Sequence, residues 1–235
     1  MAAVPGLDAP GCRQCGKSWP EAEASADGRC LNCQTDPPAY LAALSAAAYR
    51  EQARQLLHLL KFEGVATAAG YWAERLARLA GQLPETAEVI VPVPLGRRRQ
   101  RERGYNQSAE IARRLARHLG CRYAPRGLRR VRETAPQAGL TLQERERNIA
   151  RAFAGESRHV AGRCVLLIDD VLTTGATARA AAAALCRAGA RQVLLLTAAR
   201  ADLLGALAAA EDTSARVALA PRDKDDGGEA GRPRS

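Results

Sequence analysis

Aromatic residues are scarce in this chain: two Phe, two Trp and five Tyr, 4% of 235 residues. The hydrophobic core must therefore be built from Leu, Val, Ile and Ala, and few rings remain to stack on nucleic-acid bases. Lysine is nearly missing, occurring only at Lys17, Lys61 and Lys224. No lysine follows a glycine-rich loop, which excludes the phosphate loop of nucleoside-triphosphate hydrolases. Histidine is limited to His58, His118 and His159. They form no constellation in sequence, and each reads as a surface or half-buried residue rather than a catalyst. No apolar run approaches the ~20 residues of a membrane helix, so membrane insertion is not expected. The first residues lack the basic start and apolar segment of a secretory signal. The expected location is cytoplasmic.

What is present supports a folded chain. Hydrophobic residues make up 47%, enough for a sizeable core and too many for wholesale disorder. The length allows one catalytic domain and a small extra module. Net charge is +10 and is unevenly placed: residues 97–151 hold 16 Arg and 5 Glu, a net +11. Such a field suits an anionic partner, either phosphates or nucleic acid. A preference for Arg over Lys explains the residue type but not its concentration in one segment.

Four of the seven cysteines form a pattern, Cys12-x2-Cys15 and Cys30-x2-Cys33, separated by fourteen residues. Paired knuckles of this kind suit tetrahedral zinc. Two disulfides are the alternative, disfavoured in a reducing compartment. A site closed by four thiolates has no open position, so its role is structural or adhesive. Cys121, Cys164 and Cys186 lack ligand spacing and read as core residues.

The division expected along the chain is a zinc ribbon over 1–36, a main domain over 37–210 and a mostly disordered tail over 211–235. Composition predicts helix over 41–61, a second helix over 65–80 and a strand over 88–94. A helix is expected over 107–119, stopped by Gly120. Residues 121–140 read as irregular, and 142–149 as a short helix. A strand at 165–168, a loop at 169–177, a helix at 177–188 and a strand at 193–197 make a βαβ unit. That unit implies a parallel sheet.

The segment from Val165 to Thr177, VLLIDDVLTTGAT, carries the chemistry. A buried strand delivers Asp169 and Asp170 to its C-terminal end, where open α/β sheets bind ligands. Thr173, Thr174, Gly175, Ala176 and Thr177 then open a helix. Gly175 permits close backbone approach, and the helix start offers unpaired N–H groups. Together these suit a monophosphate, with the acids suited to the vicinal hydroxyls of a sugar. A strand–turn–helix with two surface acids is the plainer alternative.

These thirteen residues resemble the phosphoribosyl-pyrophosphate (PRPP) motif of type I phosphoribosyltransferases. The chain resembles the ComF family, which joins an N-terminal zinc ribbon to such a domain. The other blocks that carry the resemblance, besides the paired cysteines, are Tyr49 with Leu59–Gly64, and Val91–Pro94 with Arg103–Gln107. A further block runs from Arg130, Thr134 and Gln137 to Glu144, Arg145, Asn148 and Phe153. Glu51 departs from a family glycine, which puts the turn there in doubt. The resemblance implies an α/β domain with a central parallel sheet flanked by helices, and strand rather than helix over 41–48.

It also implies roles. Asp169 and Asp170 would bind ribose hydroxyls with Mg²⁺ nearby, and residues 173–177 the 5′-phosphate. Arg97, Arg98, Arg99 and Arg103, with Gly104, Asn106 and Gln107, are candidates for pyrophosphate contact, Arg103 first among the arginines. Solvated arginines are the plainer alternative. Lys61 reads either as a helix C-terminal charge or as a site residue. The family link to DNA uptake and natural competence adds single-stranded DNA and the competence machinery as partners, beside PRPP and an unknown acceptor. Three functions follow: a Mg²⁺-dependent phosphoribosyltransferase, a non-catalytic DNA-binding competence protein, and a PRPP sensor without turnover.

Overall fold

In the computed structural model, residues 11–18, 26–62, 66–132 and 151–201 are described, all within the compact unit Met1–Asp202. The expected helix at 142–149, the block residues Thr134 to Asn148 and the tail at 211–235 lie outside them.

The apolar segments form a five-stranded, all-parallel sheet. Its strands are β1 (Ala42–Ser45), β2 (Val89–Pro92), β3 (Arg122–Tyr123), β6 (Cys164–Leu172) and β7 (Gln192–Arg200), in the order β1-β7-β6-β2-β3. The pleat divides the side chains between two cores. Ile90, Leu166, Ile168, Leu194 and Leu196 face one side, while Val89, Val91, Val165, Leu167, Val193 and Leu195 face the other. Continuous apolar runs follow from burial on both faces.

The first face is covered by α2 (Glu51–Phe62), α3 (Ala66–Ala80) and α5 (Gln107–Leu119). Each buries a stripe at helical spacing: Ala53, Leu56, Leu57 and Leu60; Ala69, Trp72, Ala73 and Leu76; Ile111, Ala112, Leu115 and Ala116. The second face is covered by α7 (Ala176–Arg187), whose small residues Ala178, Ala181 and Ala182 let it lie close. A two-stranded antiparallel ribbon, β4 (Leu128–Arg130) with β5 (Phe153–Gly155), abuts α7. Gly155 is required there, since a Cβ would stand 2.7 Å from Ala188 Cβ and 2.8 Å from Ala184 O. The short helix α6 (Ser157–Val160) leads into β6.

Several expectations change. Residues 42–45 are strand and helix begins only at Glu51, so composition misread 41–50 and the family resemblance was right. Ala-rich sequence becomes strand here because Leu44 and its neighbours pair with β7 through Leu194–Thr197. The basic stretch is not a loop but the helix α4 (Arg97–Arg103), ended by Gly104 in the left-handed region, φ 74°. Residues 121–130 are not irregular throughout, holding β3 and β4. The strand of the βαβ unit continues to Leu172, so Asp169 and Asp170 are strand residues, with Asp169 in register with Thr197. Cys164 is buried, Cys121 half-buried, and Cys186 exposed rather than core.

The cysteine module comprises the 12–18 turn, bridged antiparallel at Gly11 and Ser18, and α1 (Leu31–Thr35). It packs on the sheet. Gly16, at φ 69°, passes so close that a Cβ would stand 2.6 Å from Ala43 O. Arg200, at the end of β7, donates to Cys15 O at 2.7 Å. Arg179 of α7 pairs with the Asp36 carboxylate and also donates to Asp36 O at 2.9 Å. Among the described residues, no helix is long and apolar enough to cross a membrane.

Candidate functional site

The chain leaves β2 toward β3 on one side of the sheet and leaves β6 toward β7 on the other. Strand order therefore reverses between β2 and β6, and a crevice opens beyond their C-terminal ends. The expected site residues converge there from three elements.

From β6 come the two acids. Asp169 Oδ1 accepts from Ser108 Oγ at 3.2 Å and from the Asp170 amide at 2.9 Å. Asp170 Oδ1 accepts from the Val171 amide at 2.8 Å. Asp170 Oδ2 accepts from Gln107 Nε2 at 3.1 Å and meets Lys61 Nζ at 3.0 Å. Lys61 is thus a site residue at the end of α2, rather than a simple C-terminal charge.

The two carboxylates differ electrostatically. Burial, reinforced by the neighbouring Asp170 charge, pushes Asp169 up to about 8. Burial acts on Asp170 in the same direction, but the Lys61 ammonium and the Gln107 amide outweigh it and hold that carboxyl below its usual range.

From the β2 side comes the start of α5. Asn106 is its N-cap: Oδ1 accepts from the Ser108 amide at 3.0 Å, and Nδ2 donates to Val93 O at 2.9 Å. Both ends of the Asn106 amide are committed to the backbone, which fixes the helix start against the β2 loop. Gln107 and Ser108 are consequently buried, 2% and 1% exposed, and pointed at the acids. Gln107 therefore stands against Asp170, apart from the arginine helix with which the resemblance grouped it. Its Oε1 has no donor among the described residues. Ser108 escaped the sequence reading. A serine one turn-start past an Asn cap looks like capping sequence, and nothing local signals that it reaches a strand 61 positions away.

The phosphate segment turns at Gly175, φ 83°, which is the N-cap of α7. Thr174 Oγ1 accepts from the Ala176 amide at 3.4 Å. Thr173 is exposed, Thr174 and Thr177 half-buried, and Ala176 packs into the core. In α4, Arg97, Arg98, Arg99 and Arg101 are exposed and Arg103 is half-buried; Arg98 pairs with Glu102 at 2.9 Å. His58 and His118 are exposed and distant in sequence from the acids.

The four cysteine sulfurs lie within 4.8 Å of one another. Cys12 Sγ accepts from the Cys30 amide at 3.3 Å and the Cys15 amide at 3.4 Å. Burial alone would raise Cys12, but these amides bring it down to about 7. Burial and neighbouring thiolates push Cys15 up to about 11 and Cys33 up as well. Four soft donors that repel one another when ionised fit zinc, which would offset that repulsion. At the acid pair the donors are hard oxygens, a set that fits Mg²⁺ or sugar hydroxyls rather than zinc.

The phosphoribosyl transferase domain model matches residues 105–206. The chain is 38% identical over 191 residues to the DNA utilization protein YhgH of Salmonella typhimurium, covering 77% of this chain and 80% of that one. It is 33% identical over 160 residues to Competence protein F of Haemophilus influenzae, covering 63% and 68%. Among solved structures it resembles the glutamine PRPP amidotransferase of B. subtilis, with 22% identity and a TM-score of 0.39. That likeness covers 55% of this chain and spans only 26% of the amidotransferase. The chain belongs to the ComF family, competence-associated proteins built on a phosphoribosyltransferase domain.

Proposed function

We propose that this protein binds PRPP with Mg²⁺ and transfers or recognises its phosphoribosyl group during DNA handling in natural competence. The observation that carries the reading is the junction, at one end of β6, of a carboxylate pair and a glycine-turned loop that opens α7. In this reading the acid pair takes the ribose hydroxyls, and residues 173–177 hold the 5′-phosphate with the N–H groups of the helix start. The arginines of α4 and its end, Arg97 and Arg103 among them, together with Gly104, face the pyrophosphate. Bound Mg²⁺ supplies charge against the departing pyrophosphate. No covalent nucleophile is needed, because displacement at the anomeric carbon is served by positioning and electrostatics. The four-cysteine module holds structural zinc and takes no part in chemistry. The names of the relatives support the cellular process; the acceptor is open.

The test is calorimetric titration of PRPP and Mg²⁺ into the zinc-loaded protein, beside a variant carrying Asp169→Asn and Asp170→Asn. Saturable binding lost in the variant supports the reading, and no binding to the parent refutes it. Pyrophosphate release on addition of candidate acceptors then separates an enzyme from a sensor.

A second reading, single-stranded DNA binding, is favoured by the exposed arginine row of α4. Its signature is an affinity that falls with salt with a slope of about −0.7 per phosphate contacted. An affinity unchanged between low and high salt would sink it.

A further inference from the structure

The two acids are adjacent in sequence but not equally available. Asp170 has three donors on its two oxygens: the Val171 amide on Oδ1, and Gln107 Nε2 and Lys61 Nζ on Oδ2. Asp169 receives both of its donors, Ser108 Oγ and the Asp170 amide, on Oδ1. Among the described residues, Asp169 Oδ2 has no donor. A carboxylate offers about four lone-pair sites, so Asp170 is nearly saturated while one whole oxygen of Asp169 is unspoken for.

Lys61 completes the asymmetry. Its ammonium carries three hydrogens, and among the described residues Asp170 is its one ion-pair partner. The side chain is 19% exposed, so the cation also faces solvent at the crevice. It arrives from α2, on the sheet face opposite to α7, whose start carries the 173–177 loop. An anion held by that loop is approached from one side of the sheet, and Lys61 stands on the other.

We propose that the acids have separate jobs: Asp169 alone receives the ribose hydroxyls, through Oδ2, and Asp170 holds Lys61 over the crevice as the cation that meets the diphosphate. This rests on the PRPP reading above and divides roles within it. Gln107 serves as a positioning residue, pinning Asp170 Oδ2 toward Lys61. Ser108 does the same for Asp169, turning Oδ2 outward by occupying Oδ1.

The experiment compares two probes, ribose 5-phosphate and PRPP, each with Mg²⁺, by calorimetry on the zinc-loaded full chain. Ribose 5-phosphate carries the hydroxyls but no diphosphate. Asp169→Asn should weaken both probes by at least about tenfold, the size of one lost charge-assisted contact. Lys61→Met and Asp170→Asn should each weaken PRPP by about tenfold and leave ribose 5-phosphate within about twofold. The two should be non-additive, the double variant binding PRPP no worse than Lys61→Met alone. Lys61→Arg, which keeps the charge, should recover part of the PRPP affinity. Thermal melts of each variant establish that it is folded, and the double variant avoids leaving either charge buried alone.

If Asp170→Asn weakens ribose 5-phosphate as much as Asp169→Asn does, the division is overturned while the PRPP reading stands. If the parent protein binds neither probe, the PRPP reading falls and the division falls with it.

Discussion

At the scale of single residues, the acid pair places opposite demands on stability. In metal-free, ligand-free protein, the folded state keeps a proton on Asp169 up to about pH 8, while the unfolded chain releases it near pH ~3.9. A raised folded value stabilises fully below the unfolded one, and that contribution is lost as pH rises through about 8. Asp169→Asn removes the charge and its penalty. The variant should therefore match the parent in Tm near pH 5 and exceed it increasingly above pH 8, while losing ligand binding. Equal Tm differences at both ends of a pH series would contradict the raised value. Asp170→Asn has the reverse sign. It leaves the Lys61 ammonium, only 19% exposed, without its carboxylate. A loss of about 2 kcal/mol is expected, below the full cost of breaking a wholly buried pair. Urea denaturation at pH 7 checks it; a stability gain in Asp170→Asn would show that the ion pair costs more in desolvation than it returns.

At the scale of elements, periodic helices were the most legible part of the chain. The helix over 107–119 and its stop at Gly120 were read in full, because a cap residue, a 3.6-residue apolar stripe and a left-handed glycine all agree there. Residues 41–50 were not, because alanine serves helix and buried strand alike and the outcome was set by pairing with β7. The acids were placed in a loop because charged residues rarely continue a buried strand. They do so here because Ser108, Gln107 and Lys61 come from other elements to satisfy them. The α5 cap is thus both a stability element and a site element. Asn106→Ala should cost about 1 kcal/mol of stability by removing the N-cap bond. It should also weaken ligand binding, since Gln107 and Ser108 are carried on that helix start. Asn106→Asp keeps the acceptor for the Ser108 amide and loses only the donor to Val93 O, so it should recover most of the stability. A full loss of stability in Asn106→Asp would assign the larger share to the Val93 contact instead.

At the scale of the whole molecule, the cysteine module and the phosphate-loop region are joined by two arginines. Arg200, 8% exposed, reaches Cys15 O from the end of β7, where it stands in register with Leu172, the residue before the phosphate loop. Arg179, whose amide donates to Gly175 O at 2.8 Å, reaches Asp36 just beyond the last cysteine. Metal removal should therefore be felt beyond the cysteines. After chelation, amide hydrogen exchange should rise at residues 172–179 as well as at 12–36. Arg200→Ala should cost about 2 kcal/mol, as for a buried hydrogen bond from a charged group. It should also uncouple the two responses. Exchange at 172–179 that ignores chelation in the parent protein would show that the contacts carry no coupling. The surface pair Arg179–Asp36 contributes less, with Asp36 76% exposed.

The sequence by itself determined the chemistry-bearing inventory. Paired CxxC knuckles, an acid pair at a strand end, a small-residue loop before a helix and an arginine-dense segment are all local patterns, set by metal geometry, backbone sterics and charge. Tertiary structure decided which of those residues meet. Whether Lys61 caps a helix or enters the site, and which oxygen of which aspartate stays open, depend on the crossing of α2, α5 and β6. So does the reach of Ser108 to Asp169. Those elements are separated along the chain and brought together by burial of the two core faces, and no local period encodes that distance.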